Sequence, residues 1–150
     1  MKRKILIVED NVGLSQIQKD WLSRAGYDAV TAMSEPIARS LIRRMQFDLI
    51  LSDVRLPEGN GISLLEWLRK EKKDIPFIIT TEYVSVPDVV RTIKLGARDY
   101  LPKPVHREHL LELAEDVFHP VATVRKQERQ LFHRTSPIIL KVEKFARLVA

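Results

Sequence analysis

The sequence has no cysteine, only five glycines and no long apolar run among its 150 residues. Without cysteine, a disulfide framework and a thiolate metal site are both excluded. The apolar stretch around Phe77 has the length of a β-strand, whereas a bilayer requires about 20 apolar residues in a row. The four apolar residues that follow Lys4 are likewise too few for a signal peptide. We therefore expect a cytoplasmic protein with one domain-sized hydrophobic core and no membrane segment.

Positive charge is concentrated at the carboxyl end of the chain. Residues 121–150 carry seven basic residues against two acidic ones, and this excess equals the net charge of +5. Residues 1–120 carry 18 of each sign and are neutral overall. The basic tail has no helix-turn-helix or other pattern of a DNA-reading module, so we do not expect it to bind a specific DNA sequence. The composition therefore describes a neutral domain followed by a basic tail.

Short apolar runs alternate with helical patterns five times along the neutral part. Runs typical of strands occupy residues 5–8, 28–32, 49–52, 75–80 and 99–101. Helical spacing of apolar residues occupies residues 12–25, 35–45, 62–70, 86–95 and 107–117. Apolar runs without alternation are typical of strands that are covered on both faces. The pattern predicts an α/β fold with a doubly wound, five-stranded parallel sheet.

Chemically active residues follow four of these predicted strands. They are Glu9 and Asp10 after the first strand, Asp53 after the third, Thr81 and Glu82 after the fourth, and Lys103 after the fifth. In a sheet of this kind, ligands bind at the carboxyl ends of the strands, so these side chains are expected to converge. Each one alone is explained as well by a helix cap or a turn. Their joint order indicates a shared site.

Packed together, the carboxylates of Glu9, Asp10 and Asp53 repel one another, which raises their pKa values unless a cation lies between them. A hard divalent ion such as Mg²⁺ suits carboxylates, a backbone carbonyl, water and a phosphoryl oxygen. If Asp53 attacks a phosphoryl group, the metal and Lys103 neutralise the developing charge, and the product is an aspartyl phosphate. The residues therefore predict metal-dependent phosphoryl transfer to Asp53, with Thr81 donating its hydroxyl to a phosphoryl oxygen.

Five stretches of the sequence are together highly specific. They are residues 5–11 (ILIVEDN), 51–57 (LSDVRLP), 60–61 (NG), 94–97 (KLGA) and 99–104 (DYLPKP). Through them, the sequence closely resembles the receiver domains of two-component response regulators over about residues 4–117. The resemblance implies a three-layer (βα)5 sandwich of the flavodoxin or CheY-like type. It also implies that a sensor histidine kinase phosphorylates Asp53.

The resemblance assigns a role to each residue of the predicted site. Mg²⁺ is expected to be held by Glu9, Asp10, Asp53 and the backbone carbonyl of Arg55. Thr81 and Lys103 are expected to contact the phosphoryl group. Tyr100 looks like the aromatic switch residue that turns inward when Thr81 moves, although packing alone also accounts for an aromatic residue on an edge strand.

Glu82 departs from the family pattern, which usually has a small residue beside the phosphorylation site. A carboxylate there adds negative charge near an incoming phosphoryl group, so slower phosphorylation or altered metal affinity is a hypothesis. A side chain that points to solvent and has little effect is the alternative. The neighbouring hydroxyl is assigned to Thr81 rather than Thr80 by register, because reading from Thr81 to Gly96 reproduces the spacing of the family without a gap.

A domain boundary is predicted where Pro120 ends the last helix, which gives a receiver domain at residues 1–119. Residues 120–150 are expected to form a basic linker followed by the start of a truncated output domain. The helical stretch from Val121 to about Phe132 is explained either as a solvated linker helix or as a helix that continues from the receiver and supports a homodimer. The stretch from Ser136-Pro137-Ile138 onward resembles the start of the ATPase domain of sigma-54-dependent transcription activators. No Gly-x-x-x-x-Gly-Lys-[Ser/Thr] loop follows, so the chain itself is not expected to be an enzyme beyond the chemistry of Asp53.

Three other functions are open from the sequence alone. A phosphatase or transferase with Asp53 as its nucleophile is expected to have a second acid two residues later, where this chain has Arg55. A flavin-binding electron carrier requires a phosphate-binding loop after the first strand, where Glu9 and Asp10 would repel the cofactor phosphate. A docking module that does not use phosphate is opposed by the complete set of site residues and favoured only by Glu82.

Overall fold

The computed structural model describes residues 2–82 and 86–119. Its elements, in chain order, are β1 (Lys4–Val8), α1 (Val12–Arg24), β2 (Asp28–Ala32), α2 (Glu35–Arg44), β3 (Leu49–Asp53), β4 (Arg55–Leu56), β5 (Gly59–Asn60), α3 (Gly61–Lys70), β6 (Phe77–Thr81), α4 (Val86–Lys94), β7 (Asp99–Pro102) and α5 (Arg107–Phe118). The five longer strands and the five helices lie within two residues of the predicted bounds. The α/β alternation is therefore confirmed.

The main sheet has the strand order β2-β1-β3-β6-β7, and its pairings are parallel. The chain runs from β1 outward to β2 and then returns to the other side of β1 to form β3. This reversal makes the boundary between β1 and β3 the topological switch point, where a doubly wound sheet opens a crevice for ligands. Val8 lies opposite Ser52 across this boundary, so the residues that come next, Glu9 and Asp53, are neighbours.

The strands of the main sheet are buried on both faces, which explains their continuous apolar sequence. In β1, Leu6 and Val8 pack in one cluster with residues of α2 and α3. Ile5 and Ile7 pack in a second cluster with residues of α1 and α5. The predicted three-layer sandwich is therefore confirmed, with helices on either side of the sheet.

Side-chain caps fix the start of the two helices that follow the switch-point strands. Asn11 accepts a hydrogen bond from Leu14 N at 2.9 Å at the start of α1. Asn60 accepts one from Ser63 N at 2.7 Å at the start of α3. Each cap satisfies an N–H group that has no partner within the first helical turn. The caps thereby hold the loops that leave the carboxyl edge of the sheet.

The sequence pattern does not predict the short antiparallel ribbon of β4 and β5. Arg55 pairs with Asn60 and Leu56 pairs with Gly59 in this ribbon. Strands of two residues are too short to show an alternation of apolar and polar side chains. Because the ribbon begins two residues after Asp53 and leads directly into α3, it lies beside the predicted site.

One further difference concerns the start of a predicted strand. Strand β6 begins at Phe77 instead of residue 75, because Pro76 has no N–H group to donate to a neighbouring strand.

The linker helix, the dimerising segment and the output-domain resemblance all fall in residues 120–150, outside the described residues. Within residues 2–82 and 86–119, no helix has the length and apolar composition needed to cross a membrane.

Candidate functional site

Three carboxylates meet at the carboxyl ends of β1 and β3. One carboxylate oxygen from each of Glu9, Asp10 and Asp53 lies within 4.8 Å of the other two. Glu9 is 2% exposed and Asp53 is 7% exposed, whereas Asp10 is open to solvent. Hard oxygen donors with one side open to water are the donor set that Mg²⁺ prefers. The residues therefore fit the predicted metal, and the open side leaves room for water and a phosphoryl oxygen.

Lys103 lies in the loop after β7 and reaches into the same site. Its Nζ donates hydrogen bonds to Glu9 Oε1 at 2.6 Å and to Asp53 Oδ2 at 2.7 Å. Its backbone N–H donates to the carbonyl of Thr81 at 3.0 Å, which ties this loop to the end of β6. The three charged side chains are at most 9% exposed, and burial of this extent requires that charges be paired. A buried ammonium group therefore bridges two carboxylates that would otherwise repel each other.

Burial and charge act in opposite directions on this network. Burial raises the pKa of the Glu9 carboxyl, and the hydrogen bonds from Lys103 Nζ and Asn11 N–H offset only part of that effect. Burial by itself would lower the pKa of Lys103, but the hydrogen bonds to Asp53 and Glu9 raise that pKa above the usual value. Lys103 is therefore protonated at neutral pH and can neutralise an anionic oxygen at this place.

The backbone around Asp53 fixes the direction of its side chain. Arg55 N–H donates to Asp53 Oδ1 at 3.3 Å, and Ser52 Oγ donates to the Asp53 carbonyl at 2.9 Å. At the start of α3, a Cβ added to Gly61 would lie 2.3 Å from the Asp53 carbonyl oxygen. Only glycine permits so close an approach of two backbone segments. The sequence singles out Gly61 only through the family resemblance, and this contact supplies the physical reason.

The two threonines at the end of β6 are both buried. Thr80 lies opposite Asp53 in the register of β3 and β6, and Thr81 is the last residue of β6. Successive side chains of a strand point to opposite faces, so the two hydroxyls have different surroundings. The structure places both at the carboxyl edge, and the assignment of the phosphoryl contact to Thr81 stays a prediction.

Comparison with known proteins places the whole arrangement in a family. Residues 5–115 match the family model of the response regulator receiver domain. The chain belongs to this receiver family. Its function in general terms is therefore that of a phosphoryl-accepting switch of two-component signalling.

Curated relatives of this receiver chain include bacterial transcriptional regulators. The transcriptional regulatory protein GlrR of Escherichia coli K12 is 32% identical over 147 residues, which cover 97% of this chain and 33% of GlrR. The transcriptional regulatory protein ZraR of Salmonella typhimurium is 38% identical over 114 residues, or 76% of this chain and 26% of ZraR. The chain thus spans a third or less of the length of these two relatives.

Solved receiver structures share the fold over most of the described residues. A CheY-like receiver domain protein from Methanospirillum hungatei has a TM-score of 0.75 at 31% identity, covering 79% of this chain and 96% of its own. The non-phosphorylated receiver domain of HemR from Leptospira biflexa has a TM-score of 0.73 at 38% identity, covering 77% and 94%. The flavodoxin-like class predicted from the sequence is therefore confirmed.

Tyr100 of this receiver domain already lies inside the protein. It is 6% exposed in the edge strand β7 and packs in the cluster that contains α2 and α3 residues. Burial raises the pKa of its phenol, and a hydrogen bond with the side chain of Thr92 in α4 lowers it in part. The structure therefore shows the inward orientation of the predicted switch residue, with its hydroxyl bonded to α4.

Two acidic residues near the site differ in how well the sequence describes them. Glu82 is exposed directly after β6, as the solvent-facing alternative expects. Glu35 is 5% exposed, and its carboxylate accepts a hydrogen bond from the ribbon, a role that the sequence analysis misses. A glutamate in the first turn of a helix predicts only a favourable interaction with the helix dipole. The sequence has no local signal for a contact that forms 25 residues further along the chain.

Proposed function

We propose that Asp53 of this receiver domain accepts a phosphoryl group from a sensor histidine kinase and thereby controls an attached output domain. The observation that supports this most strongly is the buried bridge of Lys103 Nζ between Asp53 and Glu9, at 2.7 and 2.6 Å. An ammonium group held beside a nucleophilic carboxylate lowers the repulsion that an incoming phosphoryl group meets. A purely structural ion pair would not need the third, solvent-open carboxylate of Asp10.

In the proposed reaction, an oxygen of Asp53 attacks the phosphorus of a phosphohistidine. The phosphorus–oxygen bond forms as the bond from phosphorus to the imidazole nitrogen breaks, and that nitrogen retains the bonding electrons and can take up a proton. Lys103 is already within hydrogen-bond distance of Asp53 and neutralises charge on the phosphoryl oxygens. Thr81 is proposed to donate its hydroxyl to one of these oxygens.

The carboxylates of Glu9, Asp10 and Asp53, together with the backbone carbonyl of Arg55, are proposed to hold Mg²⁺. When bound, Mg²⁺ supplies positive charge that lets an anionic nucleophile approach an anionic phosphoryl group. The hydrogen bond from Arg55 N–H to Asp53 Oδ1 would keep this carboxylate oriented toward the metal.

Phosphorylation is proposed to act as a switch through the ends of β6 and β7. A phosphoryl group on Asp53 draws Lys103 and Thr81 toward it. The backbone N–H of Lys103 donates to the carbonyl of Thr81, so the ends of β6 and β7 are linked. Tyr100 lies three residues before Lys103 and is bonded to Thr92 of α4. A change in this segment therefore alters the relative stability of two arrangements of α4, which is how a local charge event shifts a population.

The proposed output is transcription activation by an ATPase domain of the sigma-54-dependent type. The match to the regulatory protein GlrR covers 147 residues and thus extends beyond the receiver match, which ends at residue 115. We propose residues 1–119 as the receiver domain and residues 120–150 as a basic linker with the start of that output domain. Further proposals are a homodimer, a cytoplasmic location beside the kinase, and DNA contact only through domains outside this chain. Within the chain itself, no catalysis beyond Asp53 is proposed.

The test of the proposed function is chemical identification of the modified residue. The chain is incubated with Mg²⁺ and a small-molecule phosphodonor, and the expected result is a mass gain of one phosphoryl group that a chelator prevents. Reduction with borohydride converts an aspartyl phosphate to homoserine, and peptide mass then locates the residue. Homoserine at position 53 supports the proposal, whereas the absence of a mass gain, or modification elsewhere, would remove it.

Glu82 is proposed to slow phosphorylation by placing a negative charge beside the site. We expect Glu82→Ala to raise the initial rate of phosphorylation about threefold, since a nearby charge that is exposed to water contributes only a fraction of a kcal/mol. The effect should shrink at high ionic strength. Glu71→Ala, an exposed change at the far end of α3, serves as the matched control. An unchanged rate in Glu82→Ala would assign this side chain no role.

A further inference from the structure

The ribbon of β4 and β5 is attached to a residue from a distant part of the chain. Glu35 lies in the first turn of α2, and its Oε1 accepts a hydrogen bond from Asn60 N–H at 2.9 Å. Its Oε2 pairs with Arg39 one turn further along the same helix. With 5% exposure, this carboxylate is almost completely buried. A negative charge is thus placed against the segment that follows Asp53.

The contact between Glu35 and the ribbon is built from both sides. Gly59 has a φ of +139°, and an added Cβ there would lie 2.1 Å from Glu35 Oε1. The space that a side chain at position 59 would occupy is therefore filled by the carboxylate. On the helix side, the guanidinium of Arg39 lies 5.2 Å from the ring centroid of Trp67 and so holds Glu35 from α3 as well. The carboxylate therefore has direct partners in β5 and α2, and its partner Arg39 is in turn held by Trp67 of α3.

Asn60, which donates this hydrogen bond, is connected to the proposed metal site through one strand pairing. Asn60 pairs with Arg55 across the ribbon. Arg55 supplies the proposed carbonyl ligand, and its N–H donates to Asp53 Oδ1 at 3.3 Å. An isolated two-stranded ribbon is at best marginally stable in water, and strands of two residues have little pairing to hold them. The ribbon therefore depends on its attachments to keep the Arg55 carbonyl in place.

We propose that Glu35 is a positioning residue for the metal centre. By accepting the hydrogen bond from Asn60 N–H, it holds the ribbon so that the Arg55 carbonyl lies beside the three carboxylates. This inference rests on the proposed function, because it presumes that Mg²⁺ binds at that site. Residues that orient a metal ligand without touching the metal change metal affinity by about 10- to 100-fold when they are replaced. Glu35 is proposed to act in this way from α2, without touching the metal.

Two substitutions at position 35 separate this role from an effect of charge or helix stability. Glu35→Gln keeps an acceptor oxygen at the same reach, so the Mg²⁺ affinity should stay within about twofold of the wild-type value. Glu35→Asp keeps the charge at the start of α2 but is one methylene shorter, so it loses the hydrogen bond. Its Mg²⁺ affinity should fall about tenfold. A role in charge or in the helix dipole alone predicts the opposite order.

Two readouts are measured on the whole chain without any phosphodonor. Calorimetric titration gives the Mg²⁺ affinity, and amide hydrogen exchange in a chelator gives the protection of the Asn60 N–H. We expect faster exchange in Glu35→Asp and little change in Glu35→Gln. Ile42→Val is the matched control, because it weakens the packing of α2 at a buried position two helical turns beyond Glu35. Its Mg²⁺ affinity should equal that of the wild type.

The possible outcomes distinguish this inference from the proposed function. An unchanged Mg²⁺ affinity in Glu35→Asp, or an equal loss in Ile42→Val, overturns the role of Glu35. If Glu35→Asp does not fold, a tenfold loss of affinity in Glu35→Gln overturns that role, and a near-wild-type affinity upholds it. If the wild-type chain itself binds no Mg²⁺, the metal-dependent function fails, and the inference fails with it.

Discussion

Asp53→Asn is expected to abolish phosphoryl incorporation from a small-molecule donor. The amide is not a nucleophile that can form an acyl phosphate, so no residual rate is expected at this position. The fold should persist, because the amide oxygen can still accept hydrogen bonds from Lys103 Nζ or Arg55 N–H, and Glu9 remains a partner for the lysine. We expect the free energy of unfolding to change by about 1 kcal/mol. Intact mass and chemical unfolding measure the two effects.

The matched control for this variant is Asp28→Asn. Asp28 begins β2 at the opposite, amino-terminal edge of the sheet and is exposed, so the same chemical change there leaves the site intact. Its phosphorylation should equal that of the wild type. A Mg²⁺-dependent mass gain that survives in Asp53→Asn would show that another residue accepts the phosphoryl group.

Lys103→Met is expected to destabilise the chain strongly when no metal is present. It leaves the buried carboxylates of Glu9 and Asp53 without the cation that bridges them. Removal of one partner from a buried ion pair costs about 3 to 5 kcal/mol, and we expect a loss near the lower value because the solvent-open side of the site admits water. Added Mg²⁺ should restore part of this loss, since a cation that binds only the folded state stabilises it.

Lys103→Met should also be phosphorylated about 100-fold more slowly at saturating Mg²⁺, because the positive charge beside the developing anionic oxygens is gone. Urea unfolding in chelator and in Mg²⁺ measures the stability, and the time course of mass gain measures the rate. Lys4→Met is the control, since Lys4 makes a 3.8 Å ion pair with Asp28 at partly exposed side chains. Its effect should stay within about 0.5 kcal/mol. An unfolding midpoint of Lys103→Met in chelator equal to that of the wild type would contradict a paired, charged network.

The sequence predicts the elements of this fold well because their signals are local. The run Ile5-Leu6-Ile7-Val8 shows a strand covered on both faces, and the clusters on the two sides of β1 bear this out. The start of β6 at Phe77 is the largest departure in a strand, caused by the missing donor of Pro76. Periodicity reports whether a segment is a strand or a helix, since it reflects burial of neighbouring side chains.

The candidate site is predictable in its members and less so in its geometry. The placement of Asp53 and Lys103 after separate strands indicates convergence, because parallel strands end at one edge of the sheet. Lys103 bridges Glu9 and Asp53, which lie 94 and 50 residues before it in the sequence. No periodic signal in the sequence encodes such a pairing. The register of β6 places Thr80 and Thr81 both at the carboxyl edge, because a one-residue step along a strand changes the face and not the edge.

The sequence by itself determined the alternation of elements, the parallel sheet and the identity of the acidic, threonine and lysine residues at its edge. The tertiary structure alone decided that Lys103 pairs with Glu9 as well as Asp53, that Gly61 must lack a side chain, and that Glu35 holds the ribbon after β3. The physical reason is the range of the interactions. Burial imposes a period on neighbouring residues, whereas ion pairs and close backbone contacts join segments that only the fold brings together.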